Sequence, residues 1–264
     1  MRIQTVKILT LFVLLFASCS TPDISQKTLA SILCLASAAL FTGILCERDF
    51  NMPLGIAPLI TGEPNKISSS DVYAVFKLLP MFFLLVVVYT SGLGQRYNLL
   101  VFFGLIASSF GDYFLVYQNV DKMYFVYGMA SFGLAHLLYV LALGFRPLRL
   151  GLAVIPFSLG IASQYNLMLG TLPEKLVIPV GIYHLLIASM IWRALARKSV
   201  PHADGTSPSL AAYGALLFGV SDSLLGLNKF RYPFVQAHLV VMVTYYAAQF
   251  LIAHSVAKRK AKTA

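Results

Sequence analysis

From Leu29 toward the C-terminus, long apolar runs alternate with short polar links. Eight of the runs approach the roughly 20 residues that an α-helix needs to cross the hydrocarbon core of a bilayer. They extend from Leu29 to Cys46, Tyr73 to Ser91, Tyr97 to Tyr117, Tyr124 to Gly144, Leu150 to Leu169, Leu176 to Trp192, Leu210 to Leu227 and Val235 to Ser255. Links such as Arg146-Pro147, Leu172-Pro173 and Tyr232-Pro233 carry turn signals, which predicts hairpinned, antiparallel helices. The longest link, Glu47 to Val72, holds prolines, glycines and a serine run and reads as a loop rather than a domain. The pattern therefore predicts an all-α, polytopic transmembrane helix bundle over residues 29–256, preceded by an apolar segment, 1–28, and followed by a basic tail, 257–264.

The first 20 residues admit two readings. Arg2 and Lys7 precede an apolar run, Ile8 to Phe16, that ends in Ala17, Ser18, Cys19 and Ser20, the shape of a signal peptide. An uncleaved ninth or interfacial helix fits equally well.

Composition agrees with a membrane chain. Of 264 residues, 58% are hydrophobic and 11% charged, against about 25% charged in soluble domains. The net charge of +10 has no basic domain of its own, so it points to membrane topology and not to a nucleic-acid partner. Arg96, Arg146, Arg149, Arg193, Arg197, Lys198, Lys258, Arg259, Lys260 and Lys262 fall on the side of the C-terminus; Arg48, Lys66, Lys122, Lys175, Lys229 and Arg231 fall on the other. The excess predicts a cytosolic C-terminus. Lys260 and Lys262 then have the spacing of a dilysine address for the endoplasmic reticulum, with attraction to anionic lipid as the plainer reading. Cys19, Cys34 and Cys46 show no metal or disulfide spacing.

Of the ten acidic residues, only Asp112 and Asp222 lie inside predicted spans. A carboxylate there costs roughly 2.5 to 3.5 kcal/mol on insertion scales, so it normally faces a bundle interior and has a function; a structural interhelical hydrogen bond is the alternative. Both lie about six residues from equivalent helix ends, or roughly 9 Å below one interface at about 1.5 Å per residue. Each follows a small residue, in Phe110-Gly111-Asp112 and Val220-Ser221-Asp222. Lys77 and His238 have comparable depth, Asn228 and Lys229 mark the nearby interface, and His136, Tyr245, Tyr246 and Gln249 lie deeper. A single pocket between helices can gather them. Taken singly, Lys77 either snorkels or binds phosphate, His136 reads first as a hydrogen-bonded core residue, and the tyrosines fit packing as well as function. His136, His184 and His238 lack the spacing of a zinc site, and no Gly-rich phosphate loop, G-x-S-x-G elbow or Cys/His dyad is present. No metal is expected.

Several ordered motifs resemble the lysoplasmalogenase (YhhN-like) family of membrane hydrolases. They are Phe76-Lys77-Leu78-Leu79-Pro80, Ser109-Phe110-Gly111-Asp112-Tyr113-Phe114-Leu115, Tyr127-Gly128-Met129 and Ala135-His136-Leu137-Leu138-Tyr139. Nearer the end come Gly214-Ala215-Leu216-Leu217-Phe218, Ser221-Asp222, Leu227-Asn228-Lys229-Phe230 and Thr244-Tyr245-Tyr246-Ala247-Ala248-Gln249. The resemblance covers about Val75 to Val256; residues 1–28, the link before Asp71, and His238 lie outside its pattern. It implies an eight-helix enzyme that hydrolyses the vinyl ether bond of lysoplasmalogens to a fatty aldehyde and glycerophosphocholine or glycerophosphoethanolamine. Asp112 and Asp222 would be its acid pair, with no metal or organic cofactor and a lysophospholipid taken from the bilayer. Two buried carboxylates can share a proton, and oxocarbenium-like transition states are handled by such pairs in glycosidases. Lys77 and Lys229 would hold the phosphate; His136, Asn228, Tyr246 and Gln249 complete the expected substrate site. A proton-coupled transporter or lipid carrier using the Asp pair as a relay is the open alternative.

Overall fold

The computed structural model describes residues 26–50, 70–201 and 203–257. The apolar segment before Gln26, most of the 47–72 link and the dilysine tail lie outside the described residues. The helices are α1 (Gln26–Phe50), α2 (Ser70–Ser91), α3 (Arg96–Val116), α4 (Met123–Leu143), α5 (Val154–Met168, opened by a 3-10 turn at Leu150–Ala153), α6 (Glu174–Lys198), α7 (Pro208–Phe230) and α8 (Ala237–His254). Among the described residues, eight helical segments are long and apolar enough to cross a membrane.

Several helices run past the ends that hydropathy predicts. α1 continues through 47–50, α6 adds residues at both ends, and α7 takes Asn228 and Lys229 into its last turn. Asp71 and Glu174 thereby enter the first turns of α2 and α6, where acids suit the positive end of the helix dipole. At the end of α6 the reason is explicit. Arg193 and Arg197, read from sequence as link charges, are buried helical residues that reach across to carbonyls at the end of α4 and in the link that follows it. Arg193 Nε donates to the Gly144 carbonyl at 2.6 Å and Nη1 to that of Leu148 at 3.2 Å; Arg197 Nη1 donates to that of Leu143 at 3.5 Å. α4 stops where Gly144 adopts φ 70°, a conformation glycine accepts without strain. The guanidinium groups supply donors to carbonyls left unpaired there.

Six helices close a ring in the order α2, α3, α4, α6, α7, α8 and back to α2, while α1 packs outside on α2 and α8, and α5 outside on α6. α1 is held by Phe41, whose ring meets Tyr73 and Tyr246 at 5.2 and 5.9 Å, and by Ser31 Oγ, 2.8 Å from His254 Nε2. The ring centres on Phe218, fully buried and edge-on to Phe132, His136, Tyr139 and Tyr245. Close approach of α3 and α4 depends on two glycines: a Cβ at Gly104 would sit 2.2 Å from the Tyr139 ring, and one at Gly111 2.6 Å from that of Phe132. Seating Gly111 on Phe132 turns the next residue, Asp112, into the bundle.

The link from α6 to α7 is pinned by Asp204, which pairs with Arg197 and accepts from the Thr206 amide and hydroxyl at 3.0 and 2.5 Å. Partial burial opposes its charge, but the Thr206 bonds and the Arg197 guanidinium prevail and hold its carboxyl below the usual carboxylate range. Its contribution to stability is therefore complete above the ordinary aspartate value of about 3.9 and is lost as pH falls through the lower folded value. Thermal unfolding in detergent is expected to show wild type losing stability more steeply than Asp204→Asn below about pH 4; parallel curves would remove this link from the account.

Candidate active site

Each carboxylate of the ring interior is held by partners from two other helices. Asp112, on α3, is 2% exposed and lies with Oδ1 3.3 Å from Nζ of Lys77, a 4% exposed residue of α2. Its Oδ2 accepts from the Tyr245 hydroxyl of α8 at 2.5 Å. Asp222, on α7, accepts at Oδ2 from the Tyr183 hydroxyl of α6 at 2.6 Å, and the same oxygen lies 3.0 Å from Nε2 of His136 on α4. His136 Nε2 is also 3.2 Å from the Tyr183 hydroxyl. The two constellations together draw on all six ring helices, three apiece.

The surroundings of the two acids differ. Both oxygens of Asp112 are engaged and its charge faces an ammonium, whereas the partners of Asp222 converge on one oxygen, and among the described residues no hydrogen bond reaches its Oδ1. Phe218 and Phe132 separate the arms: His136 packs on Phe218 at 4.6 Å, and Tyr245 on Phe218 at 5.5 Å and on Phe132 at 5.8 Å.

Asp112 and Asp222 line one chamber of about 320 Å³, with Lys77, Tyr245, Ser221 and His238 also in its wall. It lies toward the end of the ring where α2 and α8 begin and α3 and α7 finish. Gln118, Asn119 and Asn228 give it a polar margin there. Tyr73 holds His238, its hydroxyl 3.1 Å from Nε2.

Of the residues expected from sequence, Lys77, Asp112, Asp222 and Asn228 reach this chamber. Lys77 is turned to Asp112 instead of standing free for a phosphate. His136 is fully buried behind Asp222. Tyr246 is directed to the Lys77 carbonyl at 2.8 Å, and Gln249 accepts from the Tyr139 hydroxyl at 2.9 Å, so both stand outside the chamber wall. Lys229 is exposed at the margin, with Nζ 2.8 Å from Gln118 Oε1 and over the Phe125 ring. Tyr183 has no signature in the sequence beyond being a tyrosine within an apolar run, where a buried hydroxyl requires a partner. The third histidine, His184, is spent on α5, with Nε2 3.1 Å from Ser163 Oγ and Nδ1 2.9 Å from Gln164 Oε1.

The family model described as the YhhN family matches residues 72–256, from the start of α2 to just past the end of α8. This chain belongs to the YhhN family. The YhhN match contains both carboxylates and all of the six-helix ring but the first two residues of α2, and leaves α1 outside. Lysoplasmalogenase TMEM86A of Bos taurus is 40% identical over 195 residues, covering 71% of this chain and 79% of the relative. Lysoplasmalogenase TMEM86B of Homo sapiens is 40% identical over 179 residues, covering 68% and 73%. No solved structure matches the chain.

In this YhhN-family chamber, removing one partner of the Lys77–Asp112 pair leaves an uncompensated buried charge, which costs about 3–5 kcal/mol. Lys77→Met is expected to lower unfolding free energy in mixed micelles by that order, and adding Asp112→Asn is expected to recover most of the loss. Additive losses in the double variant would show that the two side chains do not act as a pair.

Proposed function

We propose that this YhhN-family protein is a membrane hydrolase that cleaves the vinyl ether bond of lysoplasmalogens, with Asp222 as proton donor and Asp112 as the anionic base. The observation that carries this reading is the unequal environment of two carboxylates facing one chamber within a bundle. The names of its relatives supply the substrate class.

The chemistry needs two groups in different states. Protonating the β carbon of R–CH=CH–O–R′ forms R–CH₂ and leaves an oxocarbenium ion at the α carbon. Asp222 Oδ1, which no hydrogen bond reaches among the described residues, is the oxygen that can carry and deliver this proton. His136 and Tyr183 bond to the other oxygen, fix the carboxyl, and support the charge it acquires. Asp112, beside the Lys77 ammonium, is the negative group that faces the oxocarbenium and takes a proton from the attacking water. The hemiacetal then collapses: its hydroxyl proton returns to Asp222 and the glycerol oxygen takes the proton from Asp112. Products are an aldehyde and an alcohol, and both acids regain their starting states. Positioned acid and base groups of this kind contribute about 10²–10⁴-fold each.

The headgroup, choline or ethanolamine phosphate, lies at the polar margin, where Asn228 and Lys229 replace the buried Lys77 as its candidate contacts. His136, Tyr246 and Gln249 act on the substrate only by positioning the groups in front of them.

Purified protein in detergent is expected to release aldehyde from a lysoplasmalogen, and Asp222→Asn and Asp112→Asn, still folded, to reduce kcat by about 10²-fold or more. No aldehyde from intact wild type would sink the enzyme reading; unimpaired turnover by either variant would sink the role given to that residue.

A further inference from the structure

The chamber continues past Asp222. A narrow apolar slot of about 50 Å³ lies between α4, α5, α6 and α7, and Leu115, Phe132, Asp222 and Leu225 line both spaces. Its remaining wall includes Met129, Leu167, Val180, Ile187 and Gly226. Besides Asp222, the polar side chains in that wall are Tyr183 and His184. The Tyr183 hydroxyl is committed to Asp222, and both ring nitrogens of His184 are engaged by α5. Beyond Asp222 at its mouth, the wall offers no spare hydrogen bond, and a cavity of that kind holds water poorly and takes apolar ligands. At Gly226 a Cβ would come within 3.3 Å of Leu167 Cδ1, so glycine keeps the slot open where α7 faces α5.

We propose that this slot is the subsite for the first carbons of a single alkenyl chain, an inference that rests on the vinyl ether hydrolase reading above. About 150 Å³ of apolar cavity holds one benzene ring, so this slot encloses only a few methylenes. The rest of a long chain passes beside α5, of which only Pro156 and Leu167 are buried, into the surrounding lipid. The slot also orients the reacting bond. The β carbon is the one that bears the chain, so seating the chain here puts that carbon at the mouth of the slot, beside Asp222. The α carbon and the ether oxygen then point into the polar chamber, toward Asp112 and the margin. This gives Asp222 the proton donor's position on grounds independent of its hydrogen bonds.

The test uses the full-length protein in detergent with two synthetic lysoplasmalogens, one with a long straight alkenyl chain and one with an ethenyl group alone, and a third with a methyl branch next to the double bond. Filling the slot with Gly226→Leu or Val180→Phe is expected to lower kcat/KM for the long chain about tenfold or more relative to the ethenyl substrate, the value of two or three buried methylenes. Widening it with Leu167→Ala is expected to raise turnover of the branched substrate relative to the straight one. In parallel, a non-hydrolysable alkyl ether lysolipid carrying a diazirine a few carbons from the ether is expected to label α6 and α7 around Val180 and Gly226 in wild type, and to lose that labelling in Gly226→Leu. Equal losses on both chain lengths together with labelling at Tyr73 or His238 would overturn the proposal. Labelling in the slot by a protein that releases no aldehyde from any of the three substrates would instead retain the subsite and refute the hydrolase reading.

Discussion

A carboxylate inside a membrane bundle must be given its hydrogen bonds by the protein, because lipid offers none. This requirement organises the ring. Asp112 draws Lys77 from α2 and Tyr245 from α8 onto α3; Asp222 draws His136 from α4 and Tyr183 from α6 onto α7. Apolar contacts between helices in lipid are poorly directional, since the tails are as apolar as the side chains. The two polar clusters therefore fix which helices adjoin and how each is rotated. Among the described residues α1 and α5 supply no ligand to either acid, and they are the two helices that lie outside the ring.

The same requirement creates the difference on which the proposed chemistry depends. Protonation at carbon needs an acid with a free oxygen facing the substrate, and the cation that follows needs a fixed negative charge nearby. Two carboxylates in equal surroundings would serve neither role well. Here a lysine balances one, whereas a histidine and a tyrosine crowd onto a single oxygen of the other. The spaces around them are unequal in the same sense. Both acids line the polar chamber, but only Asp222 also lines the apolar slot. A lipid with its chain in the slot and its headgroup at the margin spans the pair in one orientation.

Much of this was legible in the sequence, because the bilayer imposes simple rules. Span length revealed the eight crossings, and the cost of burying charge singled out Asp112 and Asp222. Lys77 was assigned a depth comparable to that of Asp112, but to the interface or to a phosphate and not to the carboxylate 3.3 Å from its Nζ. What depth does not show is direction. Successive helical residues are turned by about 100°, so Tyr245 faces Asp112 while its neighbour Tyr246 turns to the Lys77 backbone, and Gln249 serves Tyr139. Tyr183 was hidden for a different reason: it depends on α6, rather than the sequence neighbour α5, following α4 in the ring. Hydropathy also ended α6 at Trp192 because it penalises arginine, whereas Arg193 and Arg197 each donate to a carbonyl at the end of α4.

The central claim is that proton transfer to carbon, followed by attack of water at the α carbon, breaks the vinyl ether. Isotope tracing during turnover addresses it most directly. In D₂O enriched in ¹⁸O, with the aldehyde trapped as it forms, the account predicts one deuterium on the carbon next to the carbonyl, ¹⁸O in the aldehyde, and none in the glycerol headgroup. An aldehyde without that deuterium, or ¹⁸O appearing in the glycerol product, would contradict it.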